Sequence, residues 1–82
     1  MLFVYILFSE SKSKFYIGQT NDIGNRINRH NSGYELSTKY GVPWEIVIFF
    51  TLESRSEAMI LEKKIKKRGA KRYLQDIGFF EQ

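Results

Sequence analysis

The sequence predicts an α+β fold: a small three-stranded antiparallel sheet flanked by helices, in the order β-β-α-β-α-α. Three observations carry this. Residues 2–8, 15–18 and 44–52 are apolar runs rich in β-formers. Helical apolar spacing, opened by cap residues, follows Thr20 and again Ser54. The chain has 82 residues, 43% hydrophobic and 16% aromatic, which suits one domain over 1–82 with a small, efficiently used core.

"LFVYILF" (2–8) is continuously apolar and reads as a strand buried on both faces. "SESKSK" (9–14) is a polar loop, and "FYIG" (15–18) is a second short strand ended by Gly18, so the two form a hairpin. Thr20 or Asn21 caps the next helix, with Asp22 in its first turn and Asn31-Ser32-Gly33 at its end. Gly24 inside that helix costs on the order of 1 kcal/mol relative to Ala. Residues 33–43 form a loop, and "WEIVIFFTL" (44–52) is the third strand. "SRSE" (54–57) is a capping box that opens a helix over 55–68, stopped by Gly69. A last helix spans 70–77, with Tyr73, Leu74 and Ile77 as apolar contacts; Phe79 and Phe80 fold back behind it or cover an exposed patch.

There is no Cys, which excludes a disulfide framework and a thiolate metal site. The longest apolar run, 2–8, is too short for a membrane span or a signal-peptide core, so the expectation is a soluble cytoplasmic protein without a membrane partner. Net charge is +4 and the isoelectric point is near 9.5. Seven of the thirteen Lys and Arg residues lie between Lys63 and Arg72, which suggests either a polyanion partner or a solvated helix face.

Candidate chemistry gathers on the two helices and the hairpin. On the second helix Ala58, Leu61 and Ile65 form the buried stripe, and Glu62 lies about 65° from its centre. A carboxylate there needs a partner: an Arg or Lys, a backbone group or a metal ion. On the first helix Ile23 and Ile27 face inward, and Arg26 and His30 share a face, about 40° apart around the axis. Tyr5 and Tyr16 sit mid-strand; they are either core aromatics or phenols with a polar task. Two phenols, an Arg, a His and a carboxylate beside one sheet are parts for phosphoryl transfer.

The same stretches resemble a known family. "FVYIL" (3–7) followed by "FYIG" (15–18) resembles the paired strand motifs of the GIY-YIG nuclease superfamily. "QTNDIGNRINRH" (19–30) resembles its arginine-bearing helix, and "SEAMILEKKIKK" (56–67) its metal-binding helix. The likeness covers most of the chain. It is nearest the small stand-alone members grouped with the nuclease domain of bacterial excinuclease C. The resemblance implies hydrolysis of a phosphodiester with Mg²⁺ or Mn²⁺. Tyr16 would take part in general-base chemistry, Tyr5 would support it, Arg26 would be the catalytic arginine, His30 would assist proton transfer, and Glu62 would bind the metal. Two features depart from the pattern. The first motif reads Phe3-Val4-Tyr5, and no Asn occurs from Ile65 onward, where larger members have one near the site.

These observations predict a metal-dependent endonuclease acting on DNA, or RNA, in repair or processing. No base-reading motif is visible, so recognition would be of nucleic-acid structure rather than sequence. Arg29, Lys39, Lys64, Lys67 and Lys71 are the expected backbone contacts. Short length and the missing Asn point to weak activity or to a protein partner that supplies targeting. The alternative is a nucleic-acid-binding adaptor with the same fold and little turnover; a third reading makes Trp44, Phe79 and Phe80 a partner surface.

Overall fold

The structure is a computed structural model and describes residues 1–81. Its elements are β1 (Leu2–Ser9), β2 (Lys14–Thr20), α1 (Ile23–Ser32), a 3₁₀ turn (Lys39–Gly41), β3 (Trp44–Leu52), α2 (Arg55–Arg68) and α3 (Ala70–Asp76). The α+β architecture and the order β-β-α-β-α-α are as the sequence predicts. β1 is central, with β2 and β3 antiparallel on either side in the order β2-β1-β3.

That central position explains the unbroken apolar run. Val4 and Ile6 point to one face and pack on Ala58 and Ile65 of α2 and on Ala70 and Leu74 of α3. Tyr5 and Leu7 point to the other face, against Trp44 and against Ile23 and Ile27 of α1. Side chains alternate along a strand, so a strand covered on both sides must be apolar at every position.

Several boundaries differ from expectation. β2 extends to Thr20 and the connecting turn shrinks to residues 10–13, because every residue from Lys14 to Thr20 finds a partner on β1. Gly18 therefore does not end the strand; it lies buried within it, opposite Tyr5. Asp22, not Thr20 or Asn21, caps α1: its carboxylate accepts from the Asn25 N–H at 3.1 Å, while the Thr20 hydroxyl accepts from the Asp22 N–H. Gly33 closes α1 at φ 82°, a conformation that costs glycine least.

Ser54 caps α2 through the Glu57 N–H, as the capping box requires. Glu57 reaches back to the Glu53 N–H, one residue before the cap. Gly69 ends α2 by donating its N–H to the Ile65 carbonyl. The last helix stops at Asp76, one residue short of expectation, and Ile77 is exposed. Phe79 packs against the core while Phe80 stays exposed. Trp44 is buried, so it belongs to no partner surface; its indole N–H donates to the Thr38 carbonyl at 2.7 Å.

Candidate active site

Four of the five candidate residues gather on the α1 face of the sheet. Tyr5 projects from β1 and passes over Gly18. A Cβ at Gly18 would come within 2.5 Å of the Tyr5 hydroxyl and 2.7 Å of its ring, so the strand needs glycine there to admit the phenol. The hydroxyl meets His30 Nε2 at 3.0 Å, and His30 Nδ1 meets the Thr38 hydroxyl at 2.9 Å. Tyr5, His30 and Thr38 are all buried. A polar chain in the core costs free energy unless every atom is paired, and here no buried side-chain nitrogen or oxygen among the described residues is left over.

Burial pushes the Tyr5 phenol well above its ordinary range. The Tyr16, Glu62 and Glu35 charges add to this, and Arg26 opposes them. Burial also pulls the His30 pKa down, helped by Arg26 and Arg29 and opposed by Glu35. A neutral imidazole with a protonated phenol satisfies the chain: Tyr5 O–H donates to Nε2 and Nδ1–H donates to Thr38.

Tyr16 is different. It lies two positions before Gly18 on the same face of β2, half-buried, with its ring edge-on to His30 at 4.9 Å and to Trp44 at 6.2 Å. Its hydroxyl takes no hydrogen bond among the described residues, so it is free to meet solvent or substrate. Arg26 sits at the rim of this cluster, half-buried; its guanidinium is 3.9 Å from Glu35, and the more exposed Arg29 is 3.1 Å from the same carboxylate.

Glu62 arrives from the other face, because α2 packs on the Val4 and Ile6 side. Its partners are Gln19, whose amide donates at 2.8 Å, and Lys66, whose ammonium lies at 2.6 Å. Arg55 holds Gln19 from behind by donating to its amide oxygen at 3.1 Å. Glu62 makes no hydrogen bond or ion pair with Tyr5, Tyr16, Arg26 or His30; its charge only adds to the upward push on the Tyr5 phenol. The carboxylate partner anticipated from the helix wheel is thus a lysine on its own helix.

No group of three or more His, Asp or Glu is placed to hold a metal ion among the described residues. Glu62 is nevertheless suited to a divalent ion that keeps most of its water, since one carboxylate is enough for such an ion. It lines a pocket of about 200 Å³ with Gln19, Met59, Lys63 and Lys66. Lys66 is 55% exposed on a flexible stem, so it can yield to a doubly charged cation.

The expected backbone contacts divide. Arg29 lies beside Arg26. Lys39 is exposed in the 3₁₀ turn, its ammonium 5.0 Å from the centre of the Tyr40 ring. Lys64 and Lys67 line a groove between α2 and α3 with Arg68 and Asp76, and Lys71 lines another with Phe8 and Phe79. These last three share no pocket with Glu62 or Tyr16; Lys63 and Lys66 are the lysines beside the carboxylate. Sequence reasoning overlooked Gln19 and Thr38, and read Gly18 only as the end of a strand. Only Gly18 had a local signal, a glycine among β-formers opposite a tyrosine.

The fold and these residues define a class: a small α+β domain with phenols and a guanidinium on one face of its sheet and a carboxylate on the helix that covers the other. Residues 1–74 match the GIY-YIG catalytic domain, and the chain belongs to that family of nucleases. The chain is also similar to the UPF0213 protein BH0048 from Bacillus halodurans, solved by solution NMR. The two are 30% identical, with 96% of this chain and 85% of that one covered and a TM-score of 0.59. No curated protein matches the chain.

Proposed function

We propose that this chain is a divalent-metal-dependent endonuclease that hydrolyses phosphodiester bonds in DNA, selects its substrate by structure, and serves in repair or processing. The observation that carries this is the buried Tyr5–His30–Thr38 chain packed beside the Tyr16 ring, whose hydroxyl is unpaired among the described residues. A small core has no packing reason to bury three polar side chains; fixing the geometry beside Tyr16 supplies one.

In this reading Tyr16 accepts a hydrogen bond from the attacking water. Tyr5 and His30 act through position, because neither reaches solvent. Arg26 leaves Glu35 to stabilise charge on the non-bridging oxygens. The new bond forms between water oxygen and phosphorus, the ester P–O bond breaks, and the proton that the water sheds passes to solvent while the departing ester oxygen takes one from solvent. Glu62 would hold Mg²⁺ or Mn²⁺, which supplies Lewis-acid charge when bound. A protein partner would supply substrate targeting.

A second reading, the adaptor module, is favoured by one observation: Glu62 is paired internally with Lys66, and Arg26 shares Glu35 with Arg29. One experiment separates the two. Purified protein is incubated with labelled branched, single-stranded and duplex DNA, with Mg²⁺ or Mn²⁺ and then with EDTA. Cleavage is expected only with metal, and Glu62→Ala and Arg26→Ala should each lower its rate by about 10²-fold or more. Cleavage indifferent to both substitutions would mean a contaminant. Binding without cleavage on every substrate would establish the adaptor.

A further inference from the structure

Beside Tyr16 lies an open pocket of about 420 Å³ whose lining includes Lys12, Lys14, Tyr16, Ser37, Tyr40 and Trp44. Four segments build it: the β1–β2 turn, the start of β2, the loop after α1 and the first residue of β3. Lys14 and Tyr16 are two apart on one strand and so share a face. Gly41 lies against the Trp44 ring, where a Cβ would collide with the indole, and this closes the floor.

The chemistry of the lining is uneven. Lys12 and Lys14 contribute two ammonium groups. Tyr40, in the same lining, is 73% exposed, an aromatic ring that the core does not use. Lys39 brings a third cation to that ring at 5.0 Å. The volume lies at the small end of the range of about 300–1,000 Å³ usual for ligand pockets, the size of one nucleotide rather than a base pair. Aromatic faces with interleaved cations are how proteins hold unpaired bases and their phosphates.

We infer that this pocket is a subsite for one unpaired nucleotide of a DNA strand, next to the phosphate presented to Tyr16. The base stacks on Tyr40, and the flanking phosphates contact Lys12 and Lys14. The inference rests on the nuclease reading and deepens it. The structure that the protein selects is an unpaired strand, because a base inside a duplex offers no free face. Lys39 acts at the rim of this subsite rather than on duplex backbone.

The test measures binding in EDTA, where cleavage does not intervene. Fluorescence anisotropy follows a labelled single-stranded oligodeoxynucleotide and a blunt duplex of the same sequence. The variants are Tyr40→Ala, Tyr40→Trp, Lys12→Ala with Lys14→Ala, and, as a control, Lys64→Ala with Lys67→Ala. Tyr40→Ala should weaken single-strand binding by about five- to a hundredfold and leave duplex binding nearly unchanged, with Tyr40→Trp restoring it. Removing the Lys12 and Lys14 charges should flatten the single-strand salt slope by about 0.7 for each phosphate no longer neutralised, more than the control pair does. Equal single-strand affinity in wild type and Tyr40→Ala, or equal losses on both substrates, would overturn the subsite. Single-strand binding through Tyr40 by a wild-type protein that cuts nothing with metal would support the subsite and overturn the nuclease.

Discussion

Tyr5 and Tyr16 stand on neighbouring strands and on the same face, yet they are different chemical groups. Tyr5 is buried, hydrogen-bonded to His30, and held protonated by its surroundings. Tyr16 has a free hydroxyl at the rim. The difference arises from position: Tyr5 is on the central strand and Tyr16 on an edge strand. His30 makes the buried chain sensitive to pH. Its folded-state pKa lies below the unfolded value of 6.5, so as pH falls the unfolded chain takes up the proton first. Stability is complete above about pH 7.5 and is lost as pH falls through 6.5, until His30 protonates in the folded state as well. Urea unfolding at pH 7.5 and 5.5 should therefore show a larger loss for wild type than for His30→Gln. Parallel losses would remove His30 from the account.

At the scale of elements, two glycines carry opposite predictions. Gly24 is exposed near the start of α1, and a Cβ there would meet only an Asp22 oxygen at 3.9 Å. Glycine in a helix costs backbone entropy, and nothing around Gly24 offsets that cost, so Gly24→Ala should stabilise the fold by about 0.5–1 kcal/mol. Gly18 lies in β2 with the Tyr5 ring against it. Gly18→Ala should destabilise by about 1–3 kcal/mol through overpacking and should displace the Tyr5 hydroxyl from His30. Urea denaturation of both variants checks the pair of signs, and a stable Gly18→Ala protein would contradict the close approach.

Across the whole molecule, the basic run is one feature in sequence and three in space. Lys63 and Lys66 flank Glu62, Lys64 and Lys67 line the α2–α3 groove, and Lys71 faces the groove beside Phe79. Helical periodicity scatters neighbours around the axis, so a cluster in the chain is not a patch on the surface. A duplex passing the β2 edge should depend most on the first pair. Replacing Lys63 and Lys66 with Gln should flatten the slope of log affinity against log salt by about 0.9 for each phosphate that these lysines neutralise. Replacing Lys64, Lys67 and Lys71 should change it less. Affinities measured over a salt series decide this, and a greater effect from the triple variant would restore the whole run as the tracking surface.

Fold class, element order and helix α2 were legible in the chain itself, because each depends on local terms: apolar period, caps and glycine stops. The face shared by Arg26 and His30 and the flank position of Glu62 followed from helical geometry alone. Tertiary structure decided the rest. Pairing with β1 extended β2 past Gly18. Packing of α2 on the Val4 and Ile6 face brought Glu62 to Gln19 and Lys66 rather than to the phenols. The loop after α1 returned Thr38 to His30 and carried Tyr40 to the side of Tyr16. Those contacts join residues far apart in sequence, and no local period encodes which partners a folded backbone will bring together.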